Sequence, residues 1–346
     1  MSRPIRVKSG KSFVIAGMCI FVFIAMLIPG ILHSGKDVTD KINRSFHLSN
    51  GYFSAIIHDN EANKERQGSG FNPLTHFLYP EQNIYRDKDV GLNFEHIMNG
   101  AAADAEISMF TPRRDICSVH QLSDSSASII HKAKHSSWNI ESEMRYKFSG
   151  KYHIDLEFRV ILRENKFPLD YIAFMWASYM NCTFDRRIFF IGNKEGKDEW
   201  VAFGEETDNG FETGTIGYSG ADHLPYEEGS KTLNIIEHPE KKFIFPFYYG
   251  LAHGSGRVES QSDTMVYIMM FDQKESIRFA MWNFAKNSEG KPDTHSPAWD
   301  WQYVIRKPQI DMEYSYRARV IYKPFAGRDD MVEEYKNWMS KKNIRE

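Results

Sequence analysis

Five short stretches of this chain carry side chains able to do chemistry. Phe94-Glu95-His96 sets a carboxylate beside an imidazole, a pairing suited to proton transfer near neutral pH. Arg113-Arg114-Asp115 offers two planar guanidinium groups that can clamp a carboxylate bidentately. The same triplet also reads as a surface ion-pair group. Trp176, Ser178 and Asn181 lie along one apolar run, with Tyr179 on the opposite face if the strand is regular. Trp and Tyr rings stack on sugars through their faces, but a run that is apolar on both sides favours core packing for Trp176. His253 stands between small residues in Tyr248–Gly254, which reads as a Gly-bounded loop. An imidazole there is accessible for acid–base work, or is an unspecialised loop residue. Trp299-Asp300-Trp301-Gln302-Tyr303, with Arg306 beyond, brackets a carboxyl between two indoles. Burial turns such a carboxyl into a general acid; exposure at a strand start leaves it an ordinary surface group.

Signatures of other chemistries are missing. There is no His-Glu-x-x-His pair, phosphate loop, Gly-x-Ser-x-Gly elbow or Cys-x-x-Cys, so no metal and no cofactor are expected. Of three cysteines, Cys19 lies in an apolar N-terminal run. Cys117 and Cys182 read as packed thiols in preference to a disulfide.

Positioning these groups falls to strands. Asn50-Gly51 between Phe46–Leu48 and Tyr52–Ile57 predicts a hairpin with a two-residue turn. Trp138–Phe148 and Tyr152–Leu162 alternate apolar and polar residues about Ser149-Gly150, predicting an antiparallel pair with one wet face. Tyr171–Met180 is apolar throughout and belongs between two layers. Further strands are expected at 187–191, 200–203, 232–237, 242–248, 264–271, 277–282, 301–306 and 312–322. One amphipathic helix is expected over 329–342, where Asp330 and Glu333 make a capping pattern ahead of Met331, Val332, Tyr335, Trp338 and Met339. The sum is a mostly β chain, a large antiparallel sandwich with a C-terminal helix.

Ahead of it, residues 13–32 form twenty uncharged residues behind a basic flank, 1–12, holding Arg3, Arg6, Lys8 and Lys11. That length meets the need of a single membrane-spanning helix, and the positive flank places the rest outside the cytoplasm. A cleaved signal peptide is the competing reading; both export the body. Residues 33–45 read as a tether and 46–346 as one domain. Removing the four flanking cations from 43 leaves 39 Lys and Arg against 46 Asp and Glu, a mildly acidic body. Nucleic acid is therefore not an expected partner.

Leu48-Ser49-Asn50-Gly51-Tyr52, the succession of long strands from Phe46 to Pro324 and the many aromatics resemble the galactose-mutarotase-like supersandwich group. That fold is shared by sugar epimerases and by domains of polysaccharide lyases and glycoside hydrolases. The epimerases' His ahead of an aromatic-Asn-Leu run is not recognisable, so no catalytic residue carries over. The resemblance implies carbohydrate, an acidic polysaccharide included, as substrate or ligand. An enzyme of this kind would draw its base from His253 or His96 and its acid from Asp300 or Tyr179. Glu95 with Asp300 is the hydrolytic alternative, while Arg113 and Arg114 orient an acidic sugar. Trp176, Asn181, Trp299 and Arg306 would line the site. This reading requires His253, Arg113 and Asp300 to share one pocket. The alternatives are a non-catalytic module that binds glycan or protein through an aromatic platform, and a structural protein of the envelope.

Overall fold

The computed structural model describes residues 44–62, 68–102, 107–194, 197–208, 210–230, 235–257 and 262–342. The apolar run at 13–32, its basic flank and the start of the tether lie outside them. Among the described residues no helix is long and apolar enough to cross a membrane.

Strict alternation makes the clearest elements. In β8 (His153–Leu162) the residues Ile154, Leu156, Phe158, Val160 and Leu162 are all buried, while the intervening side chains are half-exposed. The strand pairs with β7 (Ile140–Phe148) from Ile140↔Leu162 to Phe148↔Ile154, as a period-two pattern on both strands demands. They belong to a nine-stranded antiparallel sheet in the order β11-β10-β15-β16-β19-β8-β7-β6-β5. Its other members are β11 (Lys197–Phe203), β10 (Thr183–Lys194), β15 (Phe247–His253), β16 (Thr264–Phe271), β19 (Glu313–Pro324), β6 (Ser126–His131) and β5 (Cys117–Ser123).

A second, five-stranded sheet packs against its inner face. Its order is β14 (Gly214–Gly217), β17 (Ile277–Trp282), β18 (Ala298–Arg306), β9 (Tyr171–Ala177) and β4 (Asn93–Met98). Aromatic side chains weld the layers. Trp176 of β9 lies edge-on to Phe158 of β8 at 4.7 Å, and the Trp301 indole donates to the Tyr316 hydroxyl at 2.9 Å. A small sheet, β1 (Ser45–Ser49), β2 (Phe53–His58) and β3 (Gly70–His76), closes one side of the core through Phe53 and Phe71 against Phe148 and Tyr146. A two-stranded ribbon, β12 (Glu206–Thr207) and β13 (Gly210–Phe211), and the short helix α1 (Thr111–Arg114) complete the pattern. Helix α2 (Arg328–Lys342) lays Met331, Val332, Tyr335 and Trp338 on the outer face of the nine-stranded sheet, beside Phe247, Tyr249 and Ile321.

Several sequence expectations need correction. The Asn50-Gly51 hairpin forms, with Gly51 at φ +82°, but its last pair is Ser49↔Ser54, which leaves Asn50 to Phe53 between the paired residues in place of two residues. The Asn50 carboxamide oxygen accepts from the Tyr52 and Phe53 amides and holds that longer loop. The strand expected at 242–248 begins only at Phe247, immediately after Pro246, which has no amide to give a ladder. Residues 235–237, the described part of the strand expected at 232–237, make only an isolated bridge, Thr215↔Glu237. β18 starts three residues early, at Ala298. By contrast, Cys117 and Cys182 are free thiols, as the sequence favoured, and burial pushes the Cys117 thiol up to about 12.

His131, at the end of β6, is buried, and its Nε2 lies 3.3 Å from the Pro112 carbonyl. Burial pushes its imidazole down to about 4, and the Pro112 bond only partly offsets this. Between that value and the ordinary 6.5 the unfolded chain binds the proton and the folded chain does not. Stability is therefore expected to fall as the pH drops from about 6.5 to 4, by up to about 3 kcal/mol. Urea melts across that range should show the slope, and His131→Gln should flatten it.

Candidate functional site

The outer face of the five-stranded sheet is where polar side chains gather inside apolar surroundings. Strand register fixes their order. His96 of β4 stands opposite Met175 of β9, Met175 opposite Gln302 of β18, Gln302 opposite Arg278 of β17, and Arg278 opposite Gly217 of β14. One row across the five strands thus carries an imidazole, an amide and a guanidinium, at strand separations of about 4.8 Å. Asp300 and Tyr179 continue the same face. Asp300 lies opposite Ala280, and the bridge Tyr179↔Ala298 sets the tyrosine one further step along.

A β-bulge delivers the first carboxylate. Pairing shifts between Phe94↔Trp176 and His96↔Met175, leaving Glu95 as the extra residue. Phe94 keeps its place in the core, stacked on Trp176 at 4.9 Å, while Glu95 is re-aimed beside His96. The Glu95 Oε1 accepts from Arg113 Nη1 at 2.7 Å and lies 3.9 Å from His96 Nε2. Arg113 reaches it from α1, whose Phe110 flank also packs on the His96 ring at 4.5 Å. At the opposite edge Arg278 is buried against Glu237, with Nη2 on the Asp222 carbonyl at 3.2 Å. Burial draws that guanidinium down, and the Glu237 charge works against the shift. Arg306 donates to the same Asp222 carbonyl at 2.6 Å.

Gln302, in the middle of the row, is fully buried, yet neither its Oε1 nor its Nε2 has a hydrogen-bond partner among the described residues. An amide kept from water without partners costs about 1–3 kcal/mol. Gln302→Leu, which removes both orphaned atoms at similar volume, is expected to raise the unfolding free energy by about 1 kcal/mol. Chemical denaturation of the two proteins checks it. Asp300 is a different case, because its Oδ1 accepts the Ser178 amide at 2.8 Å and ties β18 to the end of β9.

Among the residues selected from sequence, Glu95, His96, Arg113, Asp300, Tyr179 and Arg306 share this outer face. Arg114 sits exposed on α1, its Nη1 3.4 Å from the Ser108 hydroxyl. Trp176 and Trp299 are fully buried between the sheets and cannot stack on a ligand. Gly250 leaves the space that the Trp299 ring fills. His253 is not in a mobile loop. It ends β15 in the nine-stranded sheet, 2 % exposed, with its ring 5.2 Å from Phe184 and its amide on the Cys182 carbonyl. It therefore does not join Arg113 and Asp300, and that requirement of the sequence reading is not met. Asn181 is likewise structural, donating to the Asn83 carbonyl at 3.1 Å. Gln302 and Arg278 were missed, because a lone polar residue inside an apolar strand carries no spacing signal. Among the described residues no group of three or more His, Cys, Asp or Glu is placed to hold a metal ion.

No protein-family model matches the chain, and no curated protein does. Solved structures give a weak likeness of fold to galactose mutarotase-like proteins. A putative aldose 1-epimerase from Escherichia coli K12 is 9% identical with a TM-score of 0.45, over 81% of this chain and 99% of that one. A galactose mutarotase-like protein from Lactobacillus casei is 10% identical with a TM-score of 0.44, over 80% and 99%. A heparan sulfate lyase HepC mutant from Pedobacter heparinus is 7% identical with a TM-score of 0.40, over 83% of this chain and 37% of that one.

Proposed function

We propose that this chain takes up a glycan on the outer face of its five-stranded sheet and cleaves it there. The observation that carries the reading is the Arg113–Glu95 pair beside His96 at the β4 edge of that face, where the Arg113 guanidinium keeps part of its surface open. A planar guanidinium matches a sugar carboxylate or a pair of ring hydroxyls. The reaction best suited to the set is elimination beside a uronate. His96 removes the ring proton, Arg113 beside it stabilises the charge that develops on the carboxylate, and Asp300 or Tyr179 protonates the departing oxygen. The new double bond replaces the broken carbon–oxygen bond, and no water is consumed. Glu95, committed to Arg113 at 2.7 Å, is better placed to hold that cation than to act as a hydrolytic acid. The uncharged run at 13–32 and its four flanking cations support an anchored sandwich outside the cytoplasm.

Incubating the full chain with acidic and neutral polysaccharides, followed by mass spectrometry, tests the proposal. Unsaturated fragments without added water are expected. Fragments that gain water would turn the assignment to hydrolysis. If every glycan stays intact and none is retained, the carbohydrate reading fails.

A further inference from the structure

Between the C-terminal end of α2 and the β5–β6 hairpin, the outer face of the nine-stranded sheet carries a groove of about 370 Å³. It lies on the other side of the sandwich from His96 and Arg113. Strand register lays out its floor. On β8, Asp155 stands between Lys147 of β7 and Arg319 of β19, and Glu157 stands between Arg145 and Arg317. Leu122 of the hairpin, 55 % exposed, forms one wall. Trp338 and Met339 of α2 form the other, with Lys341 one turn beyond Trp338.

The lining holds five Lys and Arg against three Asp and Glu, and the ion pairs show which charges stay open. Arg319 holds Asp155 at 2.6 Å, and Arg317 holds Asp272 at 3.2 Å. Glu157 is held by Arg159 at 2.6 Å, just outside the groove, while Arg145 is committed to Glu143 at 2.8 Å. Each carboxylate of the lining thus has its own guanidinium. Lys147 and Lys341 remain, both exposed and neither in an ion pair among the described residues. Two open ammonium groups attract an anionic ligand, and the walls favour one with apolar surface between its charges. A polyuronate offers both, with carboxylates along the chain and C–H ring faces that pack on Leu122 and Met339. Ammonium groups act as point charges without a fixed donor plane, which suits a flexible polymer. We infer that this groove holds a second stretch of an acidic polysaccharide, with Lys147 and Lys341 as its cations and Leu122 as an apolar contact. The inference rests on the glycan reading above. A polymer gripped on both sides of the sandwich gains its second contact intramolecularly.

Binding of polygalacturonate, neutral dextran and polyglutamate to the full chain, measured by calorimetry at two ionic strengths, tests this. Polygalacturonate is expected to bind at least tenfold more tightly than either of the others. Lys147→Gln combined with Lys341→Gln should weaken polygalacturonate binding about tenfold and blunt its salt dependence. Leu122→Ser should weaken it about threefold at both salt concentrations. All three positions are exposed, so these variants should melt with the parent, which circular dichroism checks. Unchanged polygalacturonate affinity in the double variant overturns the inference and leaves the glycan reading standing. Polyglutamate bound as tightly as polygalacturonate would make the groove a site for acidic peptides and overturn the inference too. A parent that binds dextran but not polygalacturonate loses this inference and keeps the glycan reading; a parent that binds neither loses both.

Discussion

Trp176→Ala is expected to lower the free energy of unfolding by about 4 kcal/mol, the largest single effect anticipated for this chain. Trp176 is fully buried at the centre of the sandwich. Its ring lies parallel to Trp301 at 5.4 Å and to Phe94 at 4.9 Å, and edge-on to Phe158 at 4.7 Å and Tyr316 at 5.6 Å. Four strands of two sheets meet on it, so truncation opens a cavity that rigid β-layers cannot close. Trp176→Phe should cost far less, since it keeps an aromatic face and removes an indole N–H that has no partner among the described residues. Guanidinium melts distinguish the two. A loss below about 1 kcal/mol for the alanine variant would mean that this stack does not hold the layers together.

Arg113→Ala comes next, with an expected cost of about 3 kcal/mol and loss of glycan binding. The Glu95 side chain is only 5 % exposed, and the short bond to Arg113 offsets much of the cost of keeping a carboxylate there. Deleting the cation removes that offset while the bulge still forces Glu95 inward. Adding Glu95→Gln to Arg113→Ala should recover a large part of the stability, because the buried charge is gone, but not the binding. Arg113→Lys should keep some stability and lose affinity, since an ammonium cannot reproduce a planar, directed donor pair. A double-mutant cycle checks the coupling; additive losses at Glu95 and Arg113 would contradict it.

How far the molecule is legible in its sequence depends on what each residue's neighbours are. β7 and β8 could be read almost to the residue, because one face is wet and every second side chain must turn inward. β9 was legible as a strand buried on both faces, which also placed Trp176 in the core. Asp300 could be read as standing between two indoles, but its outward direction follows only once Trp299 and Trp301 are known to face the other sheet. The bulge at Glu95 has no local signature, because an extra residue in one strand is defined by its partner strand. His253 was misplaced for a similar reason. The apolar run before it suggests an earlier strand, and Pro246 shifts the true start so that His253 falls inside. The Glu237–Arg278 pair joins residues far apart in the chain, and Gln302 becomes noticeable only when its amide is found without partners.

The most direct test of the outer-face site is a calorimetric titration of the best-retained polysaccharide onto the full chain and its Arg113→Lys variant. The lysine variant should stay folded and should bind the glycan more than tenfold more weakly, as expected when about 1.4 kcal/mol or more of directed hydrogen bonding to the ligand is removed. Undiminished affinity in a folded Arg113→Lys protein would contradict the site, and with it the claim that this face of the five-stranded sheet is what meets the sugar.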